Sequence, residues 1–316
     1  MPDMAPVPDP TIHRRRLRNE LRKAREAAGY AQRDVAAEMD WSLSKLLRIE
    51  TGAVSITTND LKALLTHYGI TDPVRVQTLV DVARAARERS PWSAYKDLGP
   101  PEFISHLAYE SAASVVRNFE PLVVPGLLQT EEYAREVLGQ FRGPDKRIVD
   151  RLVDLRLERQ EILDREKPPS LHVIMDEAVL SRAVGGVDVM RRQLRHIKVM
   201  AARPNVTVRV LPFSAGLYSR PYVPYVLFEF DEPESEDVLS LEGPLGDIVI
   251  RETSPEEQEG ANPVDYLGDF FQLEQVARRE DAVALIDAAM HRMSGYSRTA
   301  DTGPAANGAS GGSTEA

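Results

Sequence analysis

Residues 31–52 read AQRDVAAEMDWSLSKLLRIETG, and their spacing decides the fold of the front of the chain. Val35 and Ala36 are the inward pair of a short helix predicted over 32–38, and the small Ala36 lets a second helix cross closely. Ala31, just before it, offers no hydroxyl to cap that helix. Asp40 falls between the two helices, and Asp can adopt a left-handed conformation there at some cost. Ser42 then reads as the N-cap of a second helix that buries Leu46 and Ile49 and stops at Gly52. Two short helices thus meet across a tight turn.

Reading outward, Leu17, Leu21, Ala24 and Ala28 repeat at helical spacing until Gly29 ends the run. Leu61, Leu64 and Leu65 mark a fourth helix over 58–68. Asp72-Pro73 opens a fifth, with Val76, Leu79, Val80 and Ala83 inward. Residues 11–90 therefore read as an all-α five-helix domain. Ser90-Pro91 through Gly99-Pro100-Pro101 is punctuation, so 91–101 is predicted as a linker. Beyond it a mixed α/β domain is expected over 102–293. Helices are predicted at 102–118, 130–140, 145–166, 187–202 and 263–290, and strands at 171–175, 206–211, 225–230 and 238–241. Residues 1–10 and the Gly-, Ser-, Thr- and Ala-rich 294–316 are expected to be disordered.

A chain of 316 residues has room for two such domains, and 42% hydrophobic residues suffice for their cores. The absence of cysteine excludes disulfides and thiolate metal sites and fits a cytoplasmic setting. No apolar run approaches the roughly 20 residues that span a bilayer, and the N-terminus lacks a signal peptide's basic start and apolar middle. The reading is a cytoplasmic protein without a membrane partner. A net charge of −10 argues against a whole surface devoted to nucleic acid. Its distribution is uneven, however. Residues 11–52 hold ten Arg and Lys against six Asp and Glu, whereas 229–259 have Arg251 as their only basic residue. The front is basic and the back acidic.

The 31–52 stretch resembles the helix-turn-helix of the XRE family of repressors, in which a T-Q-x-x-L-A helix leads through a turn to S-x-I-x-R-I-E-x-G. Gln32, Val35-Ala36, Ser42, Arg48-Ile49-Glu50 and Gly52 carry the match, while Ala31 and Asp40 depart from it. The resemblance implies an XRE/lambda-repressor-like fold that places the second helix in the major groove of double-stranded DNA. The DNA-binding set it implies is Gln32, Arg33, Ser42, Leu43, Ser44, Lys45 and Arg48. Gln32 would contact a phosphate. Leu43 would offer apolar contact to a thymine methyl, and Arg48 would pair with a guanine edge. Symmetric half-sites make a homodimer the expected state.

A second resemblance covers residues 101–290. The segments Val124-Pro125-Gly126-Leu127-Leu128-Gln129-Thr130, Asp176-Glu177-Ala178-Val179-Leu180, Gln193-Leu194 and Val208-Arg209-Val210-Leu211-Pro212-Phe213 carry it. With the front domain they resemble actinobacterial antitoxin-like regulators, which join an XRE domain to a C-terminal domain of unknown function. That resemblance implies a short partner protein encoded by a neighbouring gene. The acidic stretch with Glu229, Asp231, Glu232, Glu234, Glu236 and Asp237 would steer a basic partner.

Catalysis has no evident carrier in the residues. Asp176 and Glu177 sit at a helix start, where the dipole explains them. His196-x-Lys198 begins an H-x-K-x4-D pattern whose last position is Arg203, and Gly185-Gly186 lacks a phosphate-loop context. Six scattered histidines have no zinc-ligand spacing. Thr130 reads as a helix cap, which alone explains the Pro125–Thr130 loop, although Gln129 is kept as a candidate pocket residue. The reading is a regulator with no enzymatic activity, no cofactor and no metal. The alternatives are a metabolite-sensing regulator and an enzyme with a DNA-binding front.

Overall fold

In the computed structural model, Asp9 opens the first helix, α1 (Pro10–Ala27), by accepting a hydrogen bond from the Thr11 N–H at 2.8 Å. Pro10 costs nothing at this position because a first-turn N–H has no helical partner. Asp9 and Pro10, expected in the N-terminal tail, are thus the cap and first residue of the helix, and both are buried. The structure describes residues 9–143, 145–220, 223–231, 236–243, 248–252 and 262–300.

Helices α2 (Gln32–Glu38), α3 (Leu43–Glu50), α4 (Thr58–His67) and α5 (Pro73–Ala85) follow as the spacing predicted. Ser42, Thr57 and Asp72 cap three of them by accepting from the N–H groups of Lys45, Asp60 and Arg75. Leu21, Val35, Leu46, Leu61, Leu64 and Leu65 form their shared core, each at most 1% exposed. At about 1.5–3 kcal/mol for each buried side chain, this core rather than helix propensity holds five short helices in place.

Residues 91–101 are more than a linker. They hold a 3-10 turn at Pro91–Tyr95, and Trp92 and Leu98 are buried. The helix expected over 102–118 is shorter, α6 (Pro101–Ala112), and Val115–Glu120 is a strand, β1. Two consecutive β-branched residues, with Val116 and Phe119 buried, suit a pleated surface better than a helix. Next come α7 (Glu131–Arg142), α8 (Lys146–Gln160), β2 (Ser170–Asp176), α9 (Glu177–Ser181), α10 (Val187–Ala201) and β3 (Val206–Leu211). Strands β4 (Tyr225–Glu229), β5 (Val238–Glu242) and β6 (Ile248–Glu252) follow, and β6 was not foreseen. The single helix expected over 263–290 is two, α11 (Pro263–Val276) and α12 (Arg279–Ala300); no proline or glycine marks the break. Helix α12 also runs into the tail expected from 294, whereas 301–316 lie outside the described residues. The all-α front followed by a mixed α/β region is the architecture expected.

The strands hydrogen-bond in the order β3-β2-β1-β4-β5-β6. The chain forms two compact units, each drawn from three stretches. The first takes residues 1–117, 161–170 and 225–268; the second takes 118–160, 171–224 and 269–316. In the first unit β4, β5 and β6 are antiparallel, in register Tyr225↔Leu241 and Leu241↔Val249, and α6 packs against β6. In the second, β2 and β3 are parallel, with Leu171 opposite Val206, and α10 and α12 pack on β3.

Candidate nucleic-acid interface

The turn between α2 and α3 is closed by backbone hydrogen bonds from Trp41 N to Ala36 O at 2.8 Å and from Asp40 N to Ala37 O at 3.2 Å. This pair of bonds requires a left-handed residue between helix and chain exit. Asp40 supplies it at φ 53°, a conformation that Asp can adopt. Ala31 makes no side-chain cap for α2, so this end of the motif lacks the hydroxyl bond that Ser42 gives α3.

Behind the turn lies a buried polar cluster. Glu50, 5% exposed, accepts from Arg25 Nε at 2.7 Å and Nη2 at 3.2 Å, and from Gln32 Nε2 at 2.8 Å. Arg25 Nη1 also donates to the Tyr30 carbonyl at 3.1 Å. Burial opposes the charge on Arg25, but its hydrogen bond with Glu50 and the charge of Glu50 prevail and raise its pKa. The same cluster fixes the start of α2 against the end of α3. Gln32 is therefore held from behind by its amide nitrogen, a role the motif alone did not reveal.

On the opposite face, Arg33, Ser42, Leu43, Ser44 and Arg48 are exposed, and Gln32 and Lys45 are half-buried. All seven residues read as the DNA-binding set thus reach solvent, on α2, on α3 and at the turn leading into α3. Leu47 joins them. It follows Leu43 by one helical turn, and each is 38% exposed, although Leu46 and Ile49 beside them are buried. Two leucines kept at the surface of an eight-residue helix give it an apolar stripe suited to thymine methyl groups. The i, i+4 spacing of Leu43 and Leu47 was the available signal. Lys45 is less free than its place in the motif suggested. Its Nζ sits 3.9 Å from the centroid of the Trp41 ring and 3.2 Å from Asp60 Oδ2.

The basic charge of the front is partly spent inside its own unit. Arg15, 5% exposed, donates to the carbonyls of Glu236 and Asp237 and lies over the rings of Tyr109 and Phe230. Lys23 Nζ is 3.8 Å from Glu236, and Arg14 donates to the carbonyls of Ala86 and Glu88. The acidic stretch read as a steering surface is correspondingly occupied: Glu229 accepts from Arg117 at 2.5 Å, and Glu236 and Asp237 face α1. Glu232 and Glu234 lie outside the described residues. Segment charge alone does not show which of these groups are already engaged by residues far apart in the chain.

In the second unit, the candidate polar residues are bound within the fold. Asp176 caps α9 through the Ala178 N–H at 2.7 Å and accepts from the Tyr218 hydroxyl at 2.8 Å. Glu177 accepts from the Phe213 N–H at 3.0 Å and lies 3.4 Å from Arg292. Thr130 caps α7, and Gln129, 1% exposed, donates to the Val124 carbonyl at 2.6 Å and accepts from Arg156 at 2.7 Å. Gln193 joins them, accepting from the Thr130 N–H and donating to the Leu128 carbonyl. Gln129 is thus a strut of its loop. Among the described residues no group of His, Asp and Glu is placed to hold a metal ion, and no helix is long and apolar enough to cross a membrane.

No curated protein and no solved structure matches the chain. Residues 103–258 match the family described as a domain of unknown function, DUF5753. Residues 16–79, which contain the α2–α3 pair and its exposed face, match the family described as a helix-turn-helix domain. The chain thus matches a helix-turn-helix family, of the kind found in DNA-binding regulators, ahead of a match to DUF5753.

Proposed function

We propose that this protein is a cytoplasmic, sequence-specific transcriptional regulator that binds operator DNA as a homodimer through α2 and α3. The observation that carries the reading is the exposed face of α3, where Ser42, Leu43, Ser44, Leu47 and Arg48 stand out from a helix whose other side is core. The Arg25–Glu50–Gln32 cluster supports that face from behind. Arg48 reads a base edge, so Arg48→Ala is expected to relax preference at one base pair by about 1–3 kcal/mol. Arg33, exposed beside Gln32 at the start of α2, is assigned a backbone phosphate, so Arg33→Ala is expected to weaken all sequences alike. Selection of duplexes from a randomised pool, followed by binding measurements on both variants, tests this. Unchanged affinity and unchanged preference in both variants would sink the reading.

The DUF5753 half is proposed as a non-catalytic module for a short protein encoded nearby, making the whole an antitoxin-like regulator. Its support is the residue resemblance over 101–290, together with the structural roles taken by Asp176, Glu177 and Gln129. Tagged full-length protein, expressed with its neighbouring genes, is expected to recover that short protein at low salt. Its repeated absence would remove the partner.

A further inference from the structure

Lys45 is the third residue of α3 and Asp60 the third of α4, each one turn in from a hydroxyl cap, Ser42 and Thr57. Their side chains meet at 3.2 Å, and the Trp41 ring lies 3.9 Å from the same ammonium. Trp41 is itself anchored, since it packs against the helical core. A lysine on a groove-facing helix is ordinarily a roaming point charge on a flexible stem. Such a charge neutralises any phosphate in reach and adds affinity without sequence information. Here an aromatic face and a carboxylate from two different elements confine it. To take a phosphate, the ammonium must exchange Asp60 for it while the carboxylate stays close and repels the backbone.

We propose, on the DNA-binding reading above, that Asp60 and Trp41 are positioning residues for Lys45. They withhold its charge from phosphates met at random and present it to an acceptor on a base edge. Asp60 then acts against non-specific DNA, and so raises specificity by weakening the wrong complexes more than the right one. A wholly structural ion pair would stabilise the fold and leave the ratio of specific to non-specific binding unchanged.

The test compares full-length wild type, Asp60→Asn, Lys45→Ala and the double variant by fluorescence anisotropy over a salt series. One probe is a short mixed-sequence duplex; the other is a duplex enriched on the wild type from a randomised pool. For Asp60→Asn, binding to the mixed duplex is expected to tighten roughly fivefold at about 0.1 M salt, with a log–log salt slope steeper by about 0.9, as for one more neutralised phosphate. The enriched duplex gains less, so the specificity ratio falls. In the Lys45→Ala background, Asp60→Asn is expected to have little effect, because its action runs through the lysine. Trp41→Phe keeps an aromatic face and the wild-type ratio, whereas Trp41→Leu lowers the ratio, with thermal melts confirming that both fold. Mixed-duplex affinity unchanged by Asp60→Asn, or a gain equally large without Lys45, overturns the proposal. Failure of the wild type to bind either duplex overturns the regulator reading itself.

Discussion

Two loops in this protein are held by buried side-chain networks of opposite character. In the helix-turn-helix, the carboxylate of Glu50 gathers Arg25 and Gln32, tying α1, α2 and α3 at one charged point. In the second unit, the Pro125–Thr130 loop is held mainly by neutral amides, with the Arg156 guanidinium as a charged donor to Gln129. Gln193 bonds Leu128 and Thr130, Gln129 bonds Val124, and Gln160 donates to the carbonyls of Gly126 and Gln129 at 2.9 Å. The neutral network satisfies backbone groups locally. The charged one joins three helices, and without Glu50 it leaves Arg25 with only the more exposed Glu26, at 3.3 Å, as a counter-charge. The difference places the greatest sensitivity to substitution just behind the proposed DNA-reading face.

The largest effect follows from that loss of pairing. Glu50→Ala is expected to destabilise the helical front by about 3 kcal/mol, because Arg25 loses its buried partner and keeps only the exposed Glu26 as a counter-charge. Denaturant melts of the full chain, with amide exchange to locate the loss in α1–α3, measure it. Replacing Arg25 and Glu50 together by Met and Leu is expected to recover most of the loss, since no buried charge is left unpaired, although Gln32 and the Tyr30 carbonyl each lose a hydrogen bond. A double variant as unstable as Glu50→Ala would show that the pair contributes more than mutual neutralisation.

Next in size is the neutral network. Gln193→Leu leaves the Leu128 carbonyl and the Thr130 N–H without their partner and is expected to cost about 1–3 kcal/mol. Faster exchange confined to the loop would accompany it. A loss as large as that of Glu50→Ala would erase the distinction between charged and neutral anchoring.

Smaller gains are expected at the two positions where the motif departs from its family pattern. Ala31→Ser supplies the missing cap of α2 and is expected to stabilise by about 1 kcal/mol. Asp40→Gly relieves a left-handed non-glycine residue, but glycine loses more backbone entropy on folding, so a net gain of about 0.5 kcal/mol is expected. Both are read as shifts in melting midpoint. A loss of stability at Asp40→Gly would mean that the Asp side chain supports the turn.

What was legible in the sequence was local. The five front helices, the caps at Ser42 and Thr130, the left-handed Asp40 and the strands at Leu171, Val206, Tyr225 and Val238 each depend on a few consecutive residues. Most of the exposed α3 face followed, because a helix that buries Leu46 and Ile49 turns Leu43, Ser44 and Arg48 outward, while the exposure of Leu47 was found only in the structure. The expected helix ran too far, into Val115–Glu120, because an apolar run this short does not by itself separate strand from helix, although Val115 and Val116 favour the strand.

By itself, then, the sequence determined the helix-turn-helix and its outward face, since periodicity and capping act over one or two helical turns. Only the tertiary structure decided the order β3-β2-β1-β4-β5-β6, the interleaving of the two units, and the partners of the charged groups. Arg15 meets Glu236 and Asp237 across more than two hundred residues, and Lys45 meets Asp60 from a different helix. Such pairings depend on where packed elements bring their side chains, and no short-range spacing encodes that.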